Sequence, residues 1–166
     1  YLELIKRVVA LGKKAIMLVP EISLTAQIVN KFYDHFGNDV AIFHSGLSNG
    51  EKYDEYLKIL RDEVHIVVGT RSAIFTPLTN LGLIIIDEEH SETYKQDVSP
   101  FYSSITVALM RQQNTKCKIV LGSATPSLET KTKALKGIYH QLVLTKRFND
   151  SPLPKTSIID MLDYRN

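Results

Sequence analysis

The chain holds a single cysteine, Cys117, so an internal disulfide and a multi-cysteine zinc site are both excluded. Cys117 opens an apolar run and reads as a small core residue in a reducing compartment. No apolar run exceeds the length of a strand, which argues against a membrane-spanning helix, and the opening residues lack the layout of a signal peptide. Internal repeats and low-complexity tracts are also missing. What remains is ordinary for a globular protein: 166 residues, 44% hydrophobic and 23% charged, enough for one domain with a sizeable core. The net charge of +2 is unevenly spread, with ten basic against fourteen acidic residues over 1–110 and ten against four over 111–166. A basic final third is compatible with nucleic acid, but charge alone favours a solvated face with lysines on a helix.

Strand and helix signals alternate from end to end, the pattern of an α/β fold built on a parallel sheet. Helices are expected over Tyr1–Leu11, Leu24–Phe36, Ser48–Arg61 and Tyr102–Gln113. Ser23 is the expected N-cap of the second, Gly37 its terminator, and Ser48-Asn-Gly-Glu51 has capping-box spacing. Strands are expected over Ala15–Val19, Val40–Phe43, Val64–Val68, Leu81–Ile86, Lys118–Leu121 and His140–Leu144. Thr125 is placed to cap a further helix with Pro126 in its first position. The tail from Thr145 to Asn166, with Pro152, Pro154 and the isolated pair Ile158-Ile159, reads as a linker or the start of another domain.

Leu81-Gly-Leu-Ile-Ile-Ile86 has no polar alternation, as in a strand buried on both faces, and it runs into Asp87-Glu-Glu-His90. Ligands of open parallel sheets sit beyond the carboxyl ends of the strands, which is where these acids fall. Crowded carboxylates call for a compensating cation, and a hydrated Mg²⁺ carried with a nucleotide phosphate would serve. Phosphoryl transfer to water needs one carboxylate for the metal's water shell and another to orient the attacking water. Asp87 and Glu88 are the candidates; a surface acid cluster ending a strand is the plain alternative. Glu89 and His90 complete a DExH pattern, a recurrent helicase signature. Gly122-Ser-Ala-Thr125 lies at another strand end, where the hydroxyls of Ser123 and Thr125 can reach the acids or His90.

Three further strand ends carry Pro20-Glu21, His44-Ser45 and Thr70-Arg71-Ser72. Singly each is a turn; as a row on one edge they could grip the phosphates of a single strand. The loop after the acids offers Tyr94, Lys95, Phe101 and Tyr102. Aromatic loop residues can stack on unpaired bases, the reading preferred for Tyr94-Lys95, whereas Phe101 and Tyr102 could equally dock the next helix. A phosphate-cradling GxxxxGK(S/T) loop is found nowhere; Gly46 to Lys52 has glycines and a lysine at the wrong spacing. Without that loop the β- and γ-phosphates have no seat, so the chain by itself is expected not to hydrolyse ATP.

Leu18-Val-Pro-Glu-Ile-Ser-Leu-Thr25, His44-Ser45, Gly69-Thr-Arg-Ser-Ala73, Asp87-Glu-Glu-His90 with Tyr94-Lys-Gln96, and Gly122-Ser-Ala-Thr-Pro-Ser-Leu-Glu129 occur in one order. Together they closely resemble the PriA family of bacterial replication-restart helicases (primosomal protein N′) within superfamily 2, over essentially the whole chain. The resemblance implies a three-layer RecA-like P-loop NTPase fold over 1–147, with 148–166 a linker into a second helicase lobe near Leu153-Pro154 and Ile158–Met161. It implies a 3′-to-5′ ATP-dependent DNA helicase of the cytoplasm, with ATP and Mg²⁺ as cofactors and single-stranded and forked DNA as partners. Primosome proteins and single-strand-binding protein would be further partners, and no membrane is involved. Asp87 would hold Mg²⁺ through water and Glu88 would activate water. Glu89, His90, Ser123 and Thr125 would couple the nucleotide state to DNA, and the loop Ser91–Tyr102 would sense single strands. The family's GxTGSGKTE loop would directly precede Tyr1, and its zinc-binding cysteines and second lobe would lie outside this chain. One departure is clear: the family's arginines at the end of the aromatic loop are replaced by Phe101-Tyr-Ser-Ser-Ile-Thr106. A fork-reversing superfamily-2 translocase and a nucleotide-free α/β binding module are the alternatives; Tyr94-Lys-Gln96 argues against the first.

Overall fold

A computed structural model describes residues 1–145 and 156–157. Five strands form a parallel sheet in the order β2-β3-β1-β4-β7: β1 (Lys14–Leu18), β2 (Val40–Phe43), β3 (Ile66–Gly69), β4 (Leu81–Ile86) and β7 (Lys118–Leu121). Helices α1 (Leu2–Ala10), α2 (Ala26–Phe36), α3 (Asn49–Leu60), α4 (Ser104–Thr115) and α5 (Leu128–Leu135) separate or follow them. A two-stranded antiparallel ribbon, β5 (Lys95–Gln96) with β6 (Tyr102–Ser103), occupies the loop after the acids. The chain divides into two compact units, 1–131 and 132–166.

Period-two alternation along the strands sorts side chains to two cores. Ile16, Leu18, Val67, Ile84 and Ile86 face one side, with Tyr94, Ala108 and Cys117 packed on them. Ala15, Met17, Val68, Leu83 and Ile85 face the other, under Ile5 of α1 and Phe32 of α2. Every residue of β1, β3 and β4 is buried, as an unalternating apolar run requires when helices cover both faces. Cys117 is buried with them. Among the described residues, no helix is long and apolar enough to cross a membrane.

The helix at Ser48 forms as expected: Ser48 Oγ accepts from the Glu51 amide while Glu51 returns a carboxylate oxygen to the Ser48 amide. Gly37 ends α2 at φ +58. Three expectations are corrected. Thr25, not Ser23, caps α2, because Pro20 starts a 3₁₀ turn that takes up Glu21–Ser23 and delays the helix. Ser127, not Thr125, caps α5, its hydroxyl accepting from the Thr130 amide. Residues 140–144 form no strand, and Leu142, Val143 and Leu144 are exposed; an apolar run becomes a strand only where a neighbour accepts its ladder. Apart from Thr156 and Ser157, the expected linker over 148–166, including Leu153-Pro154 and Ile158–Met161, lies outside the described residues.

Candidate functional site

The carboxyl ends of all five strands lie on one edge, and the candidate residues follow in sheet order. At β4, the Asp87 amide donates to Leu18 O at 3.0 Å, keeping the residue in register with β1. Glu88 then turns into the left-handed region at φ +46, a conformation disfavoured by about 1–2 kcal/mol for a residue with a side chain. The Ser91 amide closes this turn on Glu88 O at 2.8 Å. The turn breaks the strand's alternation, so Asp87 and Glu88 leave the core together, each half-buried.

Glu89 goes the other way. It is 3% exposed, and its carboxylate accepts from the Ser127 amide at 2.7 Å, Ser127 Oγ at 3.1 Å and Thr130 Oγ1 at 2.9 Å. Its own amide donates to Gly122 O at 2.9 Å. His90 Nδ1 meets Ser123 Oγ at 2.7 Å and stands 3.5 Å from the Glu88 carboxylate. The acidic motif and the Gly122–Ser127 turn are therefore one hydrogen-bonded joint. Thr125 is exposed, and only its amide takes part, donating to Ser123 Oγ. Ser127 and Thr130 do the work expected of its hydroxyl; their spacing of three marks a helix start but not a partner in Glu89.

Two tyrosines also reach Asp87. Tyr1 Oη donates to Asp87 Oδ1 at 2.7 Å, and Tyr94 Oη donates to the Asp87 carbonyl at 2.6 Å. Burial first, then the hydrogen bond to Asp87, raise the Tyr1 hydroxyl's pKa. Burial, then the charge of Asp87, do the same for Tyr94. Both remain protonated donors at neutral pH. Gly122 makes room for the first: a Cβ there would fall 1.8 Å from Tyr1 Oη. Tyr94 was expected on the DNA side; at 1% exposure it is instead a core residue, which a loop of polar neighbours conceals in the sequence.

At the ends of β1, β2 and β3 lies a cleft of about 550 Å³, lined by Glu21, His44, Ser45, Thr70, Arg71, Ser72 and Tyr102, with Lys52 and Tyr56 from α3. Pro20 is buried at the end of β1 and does not line it, because its fixed φ serves the 3₁₀ turn. Ser45 Oγ donates to the Glu21 carboxylate, and Lys52 Nζ reaches Ser45 O at 3.3 Å. Lys52 directly follows Glu51 of the capping box, one helix turn beyond Ser48, and its spacing to Gly46 does not mark it as a cleft residue. Arg71 Nη1 donates to Lys95 O at 2.6 Å and, more weakly, to Thr93 O at 3.4 Å. Its guanidinium lies 5.7 Å from the centroid of the Tyr102 ring, which makes an edge contact with Phe75. Lys95 is exposed and pairs with Glu92, while Phe101 is three-quarters exposed at the ribbon's tip. Asp87 and Glu88 do not line this cleft; they occupy the same edge on the other side of β1.

Comparison with known proteins bears on the family and the fold. Residues 1–134 match the DEAD/DEAH box helicase family. The chain is similar to the replication restart protein PriA of Bacillus subtilis, 56% identical over 97% of the chain and 20% of that protein. It is also similar to PriA of Chlamydia trachomatis, 48% identical over 97% of the chain and 22% of that protein. It thus spans about a fifth of the length of these curated relatives. In fold it is similar to the helicase domain of Pyrococcus furiosus Hef (TM-score 0.50, 19% identity, 76% of this chain and 27% of that one). The C-terminal part of the Fun30 ATPase domain is comparable (TM-score 0.51, 15% identity, 87% and 45%). The parallel sheet with helices on both faces is a RecA-like α/β fold, and the chain belongs to the DEAD/DEAH box helicase family.

Proposed function

We propose that this chain is the first lobe of a PriA-type replication-restart helicase, an ATP-dependent cytoplasmic enzyme that moves 3′ to 5′ and remodels stalled forks for primosome loading. The observation that carries this reading is the joint in which Glu89 and His90 bond the Gly122–Ser127 turn, leaving the half-buried carboxylates of Asp87 and Glu88 outside the core at the strand end. Support also comes from the 56% identity to a replication restart protein. Because the chain spans about a fifth of such relatives, the phosphate loop, zinc-binding cysteines and second lobe are expected elsewhere in the full-length protein, with 148–166 leading toward that lobe.

The donor set suits Mg²⁺, which keeps several waters and binds through one or two carboxylates with substrate phosphates rather than in a protein cage. Asp87, with one oxygen tied to Tyr1, would hold it through water. When bound, Mg²⁺ neutralises charge on the β- and γ-phosphates of ATP. Glu88, lifted off the strand by its left-handed turn, orients the attacking water. His90, held between Glu88 and Ser123, registers that carboxylate's position and passes it to the turn; Glu89 fixes the start of α5 to the same unit. Thr125, exposed beside them, is positioned to meet a second lobe.

One DNA strand follows the cleft past Glu21, His44, Ser45, Thr70, Arg71 and Ser72, with Tyr102 lining its ribbon side and Lys95 exposed on the same ribbon outside the cleft lining. Lys52 adds a cation to that track. Primosome proteins and single-strand-binding protein are the partners such a helicase would meet at a fork.

In the full-length protein, Glu88→Gln is expected to abolish DNA-stimulated ATP hydrolysis while fork binding persists. Unchanged turnover would remove the helicase reading. The isolated chain is expected to turn over no ATP and to bind single strands weakly, with affinity falling steeply as salt rises.

A further inference from the structure

Asp87 is held at three points, and two of them are tyrosine hydroxyls. Its amide is fixed by Leu18 O, its carbonyl accepts from Tyr94 Oη at 2.6 Å, and its Oδ1 accepts from Tyr1 Oη at 2.7 Å. Tyr94 sits seven residues downstream, and the chain between them doubles back. Glu88 turns left-handed, the Ser91 amide closes on Glu88 O, and the 3₁₀ turn Glu92–Tyr94 carries the ring under the strand end. At 1% exposure the ring already serves the core, so a phenylalanine would pack there equally well. What the tyrosine adds is the bond to Asp87. Tyr1 approaches from the N-cap position of α1, and the space it fills is the one a Gly122 side chain would need.

We infer that Tyr94 and Tyr1 are positioning residues for the acidic pair. Tyr94 sets the direction of the backbone from which both carboxylates leave, and Tyr1 selects the Asp87 carboxylate orientation, leaving the second oxygen toward the metal's water shell. The inference rests on the proposed role of Asp87.

The test uses the full-length protein with Tyr94→Phe and Tyr1→Phe, and Asp87→Asn as reference. Four quantities are followed: hydrogen exchange over 87–91 without nucleotide, the Mg²⁺ concentration giving half-maximal ATP hydrolysis, the urea midpoint and single-strand affinity. Tyr94→Phe should speed exchange of the Glu89 and Ser91 amides about fivefold, the worth of one neutral hydrogen bond, and raise the Mg²⁺ requirement by a similar factor. Tyr1→Phe removes a bond to a charged group and should raise the Mg²⁺ requirement about tenfold with little change in exchange. DNA affinity should stay within about twofold of wild type in both; the urea midpoint should stay close to wild type in Tyr1→Phe and fall in Tyr94→Phe by no more than the same fivefold factor accounts for. Wild-type Mg²⁺ requirement in both tyrosine variants, beside an inactive Asp87→Asn, would overturn the inference and leave the role of Asp87 standing. Mg²⁺-dependent hydrolysis surviving in Asp87→Asn would instead overturn the role itself. Should Tyr94→Phe fail to fold, Tyr1→Phe decides, because that ring is 43% exposed and the substitution removes only its hydroxyl, leaving the core intact.

Discussion

Replacing Glu89 gives the sharpest test of how the acidic motif is built. The side chain is 3% exposed and accepts three hydrogen bonds, from the Ser127 amide and from the hydroxyls of Ser127 and Thr130. Bonds to a charged group contribute about 1.5–3 kcal/mol each, but they share one carboxylate and do not add. In Glu89→Ala the two hydroxyls can turn to water, while the Ser127 amide at the start of α5 is stranded. A loss of about 3 kcal/mol follows, or ~6–12 °C in Tm for a domain of this size. Glu89→Gln keeps the shape and one acceptor for the Ser127 amide, so it should lose only about 1 kcal/mol. Urea unfolding followed by circular dichroism separates the two. A Thr130→Val cycle should return a coupling of roughly 1 kcal/mol with Glu89. If the alanine and glutamine variants unfold together, or the alanine variant loses under about 1 kcal/mol, Glu89 does not anchor the Gly122–Ser127 turn.

Other outcomes follow from the same geometry. Gly69→Ala would put a Cβ 2.3 Å from Phe43 O, a main-chain atom that cannot step aside, and should cost more than about 3 kcal/mol in a urea melt. Gly50→Ala, in α3 with only Ser48 Oγ at 4.0 Å, should raise stability by about 0.5–1 kcal/mol in the same assay. Thr25→Ala should lose about 0.5–1 kcal/mol of helix cap where Ser23→Ala loses almost none. The hydrogen bond and charge of buried Lys14 hold the Asp62 carboxyl below its ordinary pKa. That stabilisation is complete above pH ~4 and fades as pH falls through the lower folded value, so Asp62→Asn should flatten the acid limb of stability against pH.

Much of this architecture is legible in the residues themselves. A run such as Leu81–Ile86 reads as a doubly covered strand, and the order of strand ends carries the acids, the serine turn and the cleft residues to one edge. Partners across the fold are another matter. Nothing near Tyr94 in the sequence reveals a ring folded back under Asp87, because a polar loop usually points its aromatics outward. Arg71 looks free for phosphate until its guanidinium is found on Lys95 O. Ser127 and Thr130 resemble any helix start, and only the sheet order, with β7 beside β4, brings them to Glu89. Ser23 and Thr25 differ as caps only through the 3₁₀ turn that Pro20 begins. Local chemistry reads from neighbours; contacts tens of residues apart depend on register.

The most direct measurement is a crystal structure of the full-length protein with Mg²⁺ and a non-hydrolysable ATP analogue. A metal ion is expected one water away from the Asp87 carboxylate, with Glu88 facing the γ-phosphate. A nucleotide seated elsewhere, with both acids turned to bulk solvent, would contradict the proposed role of the pair.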